Sequence, residues 1–199
     1  MMIHPRGDAI IAELMAAFGS KPIGGAEIGV WKGELSQYLL SNMPNIDQYL
    51  MVDRWVAAPE DSSYAQTADK KARADVATMT HANKMATRAT DFAADRRRIL
   101  RLESGEAAML VADESLDFVF IDADHSYYGV SRDLRLWYSK LKPGGIMGGH
   151  DIDQEHLPDV TVAVGDWLRE RGFKESDLRR GLHKTYFVTK PREEVGNAH

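Results

Sequence analysis

The sequence predicts an α/β fold in which a mostly parallel sheet carries helices on both faces. Three observations predict it. Short apolar runs alternate with helical stripes along most of the chain, the pattern of repeated β-α units. A glycine turn, Gly29-Val30-Trp31-Lys32-Gly33, stands between the first apolar run and the helix that follows. Four acids, Glu27, Asp53, Asp122 and Asp151, fall at or just after the ends of predicted strands. The topology therefore gathers four carboxylates on one edge, outside the carboxyl ends of the strands, where parallel sheets bind ligands.

The elements follow in order. Asp8 is placed to cap a helix whose Ile10, Ile11, Leu14, Met15 and Phe18 recur at helical spacing, and Gly19 and Pro22 end it. Ile23 to Ile28 is the first strand, and Leu35, Tyr38, Leu39 and Met43 mark the buried stripe of the next helix. Tyr49 to Val52 is a second strand ending at Asp53. Residues 56–95 are polar, alanine-rich and mostly helical in pattern, too long for a simple crossover, and read as a helical lid or insertion beside the ligand site. Arg98 to Leu102 is a strand, Ala107 to Val111 a short helix, and Leu116 to Ile121 a strongly apolar strand. A helix from about Tyr128 to Leu141 buries Val130, Leu134, Trp137 and Leu141. Lys142-Pro143-Gly144-Gly145 is a turn, Gly145 to Gly149 a strand, and Val160 to Arg171 a helix. Phe173 and Thr185 to Val188 are two final strands.

Composition narrows the class. A chain of 199 residues, 44% hydrophobic and 28% charged, suits one domain with a substantial core, expected over 1–190 with a polar tail over 191–199. The formal charge of −5 gives no basic footprint for nucleic acid, which leaves a small molecule as the expected partner. There is no cysteine, which excludes disulfides and thiolate metal sites and fits a cytoplasmic setting. No run approaches 18 apolar residues, so neither a membrane span nor a signal peptide is expected.

The chemistry-bearing residues cluster in four segments. Gly29 and Gly33 let the main chain pass close to a ligand and aim helix N–H groups at it. Asp53 lies 26 residues after Glu27 and can accept from both hydroxyls of a ribose. The dinucleotide fingerprint G-x-G-x-x-G is absent, which disfavours NAD. Asp124 and His125 follow Asp122 closely, and histidine's ordinary pKa suits proton removal near neutrality. His150-Asp151 ends the fifth predicted strand. Tyr127, Trp31 and Trp55 either wall a pocket or simply pack; Trp137 and Trp167 lie on core stripes.

Ala26-Glu27-Ile28-Gly29-Val30-Trp31-Lys32-Gly33 resembles the first motif, E/D-x-G-x-x-x-G, of class I S-adenosylmethionine (SAM)-dependent methyltransferases. Arg101-Leu102-Glu103-Ser104-Gly105-Glu106-Ala107 resembles the family's adenine-side loop, G-D-S-x-E-x-L, with Leu102 in place of the glycine. Phe120-Ile121-Asp122-Ala123-Asp124-His125-Ser126-Tyr127, followed by Asp133-Leu134, Leu141-Lys142-Pro143-Gly144-Gly145 and His150-Asp151, is similar to the methyltransferase domain 24 type. That type neighbours the metal-dependent sugar and catechol O-methyltransferases. The resemblance spans residues 23–152 and is weakest over 56–95.

The resemblance implies a Rossmann-like, seven-stranded sheet with an antiparallel final strand. It implies SAM as cofactor, bound by Glu27, Gly29, Gly33, Asp53, Glu103, Ser104 and Asp122. Asp122, His150 and Asp151 match the relatives' divalent-metal positions, for Mg²⁺ or Mn²⁺; the imidazole fits Mn²⁺, Fe²⁺ or Zn²⁺ better than Mg²⁺. A metal-free hydrogen-bond network is the alternative for the same trio. Asp124 or His125 would be the general base for O-methylation of a small-molecule hydroxyl. The rival functions are an Fe(II)-dependent oxygenase and a non-catalytic SAM-binding protein. The 56–95 segment could also serve as a homodimer contact.

Overall fold

The computed structural model describes residues 4–192, so most of the expected tail, 193–199, lies outside the described residues. The strands are β1 (Ile23–Ile28), β2 (Ile46–Val52), β3 (Arg97–Leu100), β4 (Leu116–Ile121), β5 (Leu141–Gly149), β6 (Arg179–Arg180) and β7 (Tyr186–Thr189). The helices are α1 (Pro5–Phe18), α2 (Glu34–Asn42), α3 (Val76–Ala89), α4 (Ser104–Met109), α5 (Tyr127–Tyr138) and α6 (Pro158–Glu170). One seven-stranded sheet runs in the order β3-β2-β1-β4-β5-β7-β6. The first five of these strands pair in parallel, and β7 lies antiparallel between β5 and β6.

Alternation along the strands feeds two cores. Ala26, Ile28, Val119, Ile121 and Met147 face α4, α5 and α6, where Leu134, Trp137, Val164 and Trp167 are buried. Ile23, Tyr49, Met51, Phe118 and Phe120 face α1, α2 and α3, against Leu14, Leu39 and Ala86. Burying the apolar stripe of each helix on the sheet is the main stabilising term.

Several elements differ from the sequence reading. α1 starts at Pro5, because His4 Nδ1 accepts the Gly7 N–H at 3.0 Å and proline suits the first turn; Asp8 lies within that turn. The Lys142–Gly145 turn is a bulge inside β5, which pairs with β4 at both Leu141 and Ile146. Phe173 forms no strand. Its N–H closes α6 on Leu168 O at 2.9 Å, and its ring packs on Trp167 and Tyr138. The sixth strand is the two-residue Arg179–Arg180, too short to leave a pattern. The 56–95 segment is irregular up to a 3-10 turn at Lys70–Arg73, and its helix, α3, begins only at Val76.

Candidate active site

At the carboxyl edge of the sheet, β1, β2 and β4 meet a single turn. Gly29 has φ +89°, and its N–H reaches Val52 O at 2.9 Å. A side chain there would collide with the Asp122 carbonyl and stand 2.7 Å from Ala123 Cα. Gly29 thus lets the end of β4 lie against the turn. Gly33 (φ +76°) serves a different neighbour: a Cβ would stand 2.8 Å from Ala86 Cα, so its missing side chain admits α3.

Asp53 organises the turn. Its Oδ2 accepts from Val30 N and Trp31 N at 3.0 and 2.9 Å, and Oδ1 accepts from Trp55 N at 2.7 Å. Those three bonds hold Trp31 at φ +54°, while Trp55 Nε1 donates to Trp31 O at 2.7 Å. Burial raises the Asp53 pKa against the pull of these N–H groups. Three of a carboxylate's roughly four lone-pair sites are taken, so Asp53 has room for one ribose hydroxyl rather than two.

A cavity of about 220 Å³ opens beside this turn, lined among others by Gly29, Asp53, Glu103, Ser104, Asp122 and Asp124. Gly33 and Glu27 do not line it. Glu27 alternates to the opposite face of β1, fully buried, and accepts from Ser36 Oγ and from Tyr49 OH. Burial pushes its carboxyl up to about 7 despite those two donors. Glu103 caps α4 and pairs with Arg54 and, at 3.8 Å, with Arg132. Ser104 Oγ accepts from Trp137 Nε1 at 2.8 Å.

The acid–imidazole cluster meets the cavity through Asp122, the member that lines it. His125 Nε2 stands 3.0 Å from Asp151 Oδ2 and 3.4 Å from Asp122 Oδ1, and Nδ1 is 2.9 Å from Asp69 Oδ2. His150 Nδ1 stands 3.0 Å from Asp151 and 3.7 Å from Asp122. The predicted trio is therefore brought together, and His125 joins it: ligand atoms of Asp122, His125 and Asp151 lie within 4.8 Å of one another. Arg6, reaching over from α1, pairs with Asp122 Oδ2. Burial alone would raise Asp122, but Arg6 and His125 hold it well below the usual carboxylate range. Asp151 is likewise depressed by both imidazoles against its burial.

This arrangement changes the role of His125. Burial would lower its pKa, but hydrogen bonds to Asp122, Asp151 and Asp69 outweigh burial and raise it to about 11. With both ring nitrogens engaged by carboxylates, His125 has no free ring nitrogen in this arrangement to meet a substrate proton. Asp124 lines the cavity with Oδ1 on Ser126 N at 2.8 Å, which leaves Oδ2 as the remaining proton acceptor of the predicted pair. The donor set, two carboxylates and imidazole, fits a divalent ion once His125 gives up its Nε2 proton.

Residues 26–152 match the family model described as a methyltransferase domain. The chain belongs to that family. It is a class I SAM-dependent methyltransferase by motif and by sheet order. No curated protein matches the sequence. Among solved structures the methyltransferase is similar to the O-methyltransferase NovP, with a TM-score of 0.65 and 16% identity over 94% of this chain and 76% of that one. It is also similar to the calicheamicin methyltransferase CalS11 (TM-score 0.66, 13% identity, 92% and 77% covered). The spermidine synthase of Thermotoga maritima shares the fold too (TM-score 0.57, 12% identity, 88% and 56% covered). At these identities the likeness is one of fold alone.

Two residues of the methyltransferase's site escaped the sequence reading, and a third, Asp133, stands in a quoted motif without a role. Arg6 and Asp69 lie 116 and 56 positions from their partners and leave no local pattern. Asp133 lines the cavity from α5, and it was legible: with Val130, Leu134 and Trp137 it completes an i, i+3, i+4, i+7 stripe, where an acid is out of place.

Proposed function

We propose that this methyltransferase moves the SAM methyl group to a hydroxyl of a small molecule, with a divalent cation held by Asp122, Asp151 and imidazole. The observation that carries the reading is the acid–imidazole cluster at the edge of the cavity that Gly29 and Asp53 open. SAM supplies an electrophilic methyl on a sulfonium, and a divalent cation lowers the pKa of a hydroxyl placed against it. Gly29 gives the methionine end close approach, Asp53 accepts from the ribose, and Glu103 and Ser104 border the adenine. Asp124 takes the hydroxyl proton through Oδ2. The chain's main contribution is to align acceptor oxygen and methyl carbon, which is worth more than the proton transfer itself.

The same reading takes the chain as one domain over 1–190, working in the cytoplasm without nucleic acid or membrane, and open to pairing through 56–95. No helix among the described residues is long and apolar enough to cross a membrane.

Calorimetric titration with S-adenosylhomocysteine, followed by methyl transfer to catechol and sugar hydroxyls before and after EDTA, tests the reading. Saturable binding, with turnover lost to EDTA and restored by Mn²⁺ or Mg²⁺, is the expected result. Turnover indifferent to EDTA would remove the cation, and a folded protein that does not bind S-adenosylhomocysteine would remove the cofactor assignment.

A further inference from the structure

Asp69 reaches the acid–imidazole cluster from outside the sheet edge, from the irregular stretch before α3, 56 positions from His125. Its side chain is nearly enclosed, and both of its oxygens are committed. Oδ1 accepts from Lys71 N at 2.9 Å, which caps the 3-10 turn at Lys70–Arg73. Oδ2 accepts from Tyr64 OH at 2.7 Å and stands 2.9 Å from His125 Nδ1. The stretch behind it is braced in turn, since Thr67 Oγ1 accepts from Asp69 N at 3.3 Å and Arg73 donates to Thr67 O at 3.0 Å. Bonds from within its own stretch thus hold the carboxylate in place independently of His125.

The other ring nitrogen faces the acids of the sheet edge. His125 Nε2 lies between Asp151 Oδ2, at 3.0 Å, and Asp122 Oδ1, at 3.4 Å. A neutral imidazole offers a cation one lone pair, and the proton on the other nitrogen decides where that lone pair is. A carboxylate at Nδ1 accepts an N–H there, leaves the lone pair on Nε2, and makes the ring a more basic ligand. Asp69 is not itself a ligand: the group whose donor atoms lie within 4.8 Å of one another is Asp122, His125 and Asp151, without it.

Resting on the divalent-cation reading above, we infer that Asp69 is a positioning residue of the cation site: it holds the Nδ1–H of His125 and thereby presents Nε2 to an ion shared with Asp122 and Asp151. It acts through the ring alone and touches neither the ion nor the cavity. An asparagine at position 69 keeps the shape, but it lacks the charge and can turn either an oxygen or an N–H toward Nδ1, so it no longer dictates the tautomer.

The experiment titrates Mn²⁺ into the full chain by calorimetry, in wild type, Asp69→Asn, His125→Ala and the double variant, at one fixed pH because ion binding releases a proton. Asp69→Asn is expected to weaken Mn²⁺ binding roughly ten- to a hundredfold, the usual cost of losing a carboxylate behind a histidine ligand. In the His125→Ala background the same substitution should change the affinity by no more than about twofold, because its route to the ion is gone. An equal loss in both backgrounds would overturn the inference, since a local collapse or a bare charge effect acts without His125. Nitrogen NMR of the wild type with Zn²⁺ decides independently of how the variants fold. The expected state has the ion on His125 Nε2 and the proton on Nδ1; the reverse, or a ring free of the ion, would refute the role of Asp69 while leaving cation binding intact. No binding of either ion to folded wild type would instead refute the cation reading beneath it.

Discussion

Glu27→Gln isolates the energetics of the one fully buried acid on the inner face of β1. The folded carboxyl titrates near 7, against an ordinary 4.5, because burial outweighs the bonds from Ser36 and Tyr49. Between those two values the folded protein binds more protons than the unfolded chain, so this group makes stability fall as pH rises and adds no slope above about pH 8. From pH 5 to pH 8 the loss is on the order of 2–3 kcal/mol. Glutamine cannot titrate, and its oxygen can still accept from both hydroxyls; its N–H₂ adds a penalty that does not vary with pH. Urea unfolding of wild type and variant across this range should therefore show the variant gaining roughly 2–3 kcal/mol on wild type between pH 5 and pH 8. Parallel pH curves, separated by a constant offset, would mean that Glu27 stays ionised throughout and that the burial argument fails.

Three further outcomes are expected. Arg6→Ala removes a counter-charge from buried Asp122 and should cost about 3 kcal/mol in chemical denaturation at pH 7; a loss below about 1 kcal/mol would show that His125 alone suffices. Gly29→Ala forces a Cβ into the Asp122 carbonyl at φ +89° and should lower stability by at least about 2 kcal/mol while weakening S-adenosylhomocysteine binding in calorimetry. Asp124→Asn should lower kcat by about a hundredfold or more and leave S-adenosylhomocysteine affinity within about twofold; unchanged kcat would return the proton to another acceptor.

The sheet was legible where strands are buried on both faces. Ile23–Ile28 and Leu116–Ile121 are apolar runs bounded by turn residues, and both were placed to the residue. Yet the same continuity hid which side each residue takes. Glu27 lies between Ala26 and Ile28, which face α4 to α6, and so turns toward α1 and α2, away from the cavity. Strand-end position set Asp122, His150 and Asp151 near one another, because the end of a parallel strand fixes a place in space, but the imidazole grouped with the two acids is that of His125. The carboxylates around His125 were not legible: Asp69 comes from an irregular stretch and Asp151 from the end of β5. Phe173 read as a strand because a lone aromatic before polar residues carries no period, and tertiary packing on Trp167 decided its conformation.

The contact between Gly33 and Ala86 ties the most patterned segment of the chain to the least patterned one. A glycine that motif reading assigns to the cofactor is here the floor on which α3 rests. Homologous descendants, or chimeras that exchange the 56–95 segment, are therefore constrained at a position that does not line the cavity. A replacement segment is compatible only if its helix crosses the turn with a residue no larger than alanine at position 86, whatever acceptor the rest of it recognises. That segment can vary only around one fixed point of inheritance, and positions 33 and 86 should change together or not at all.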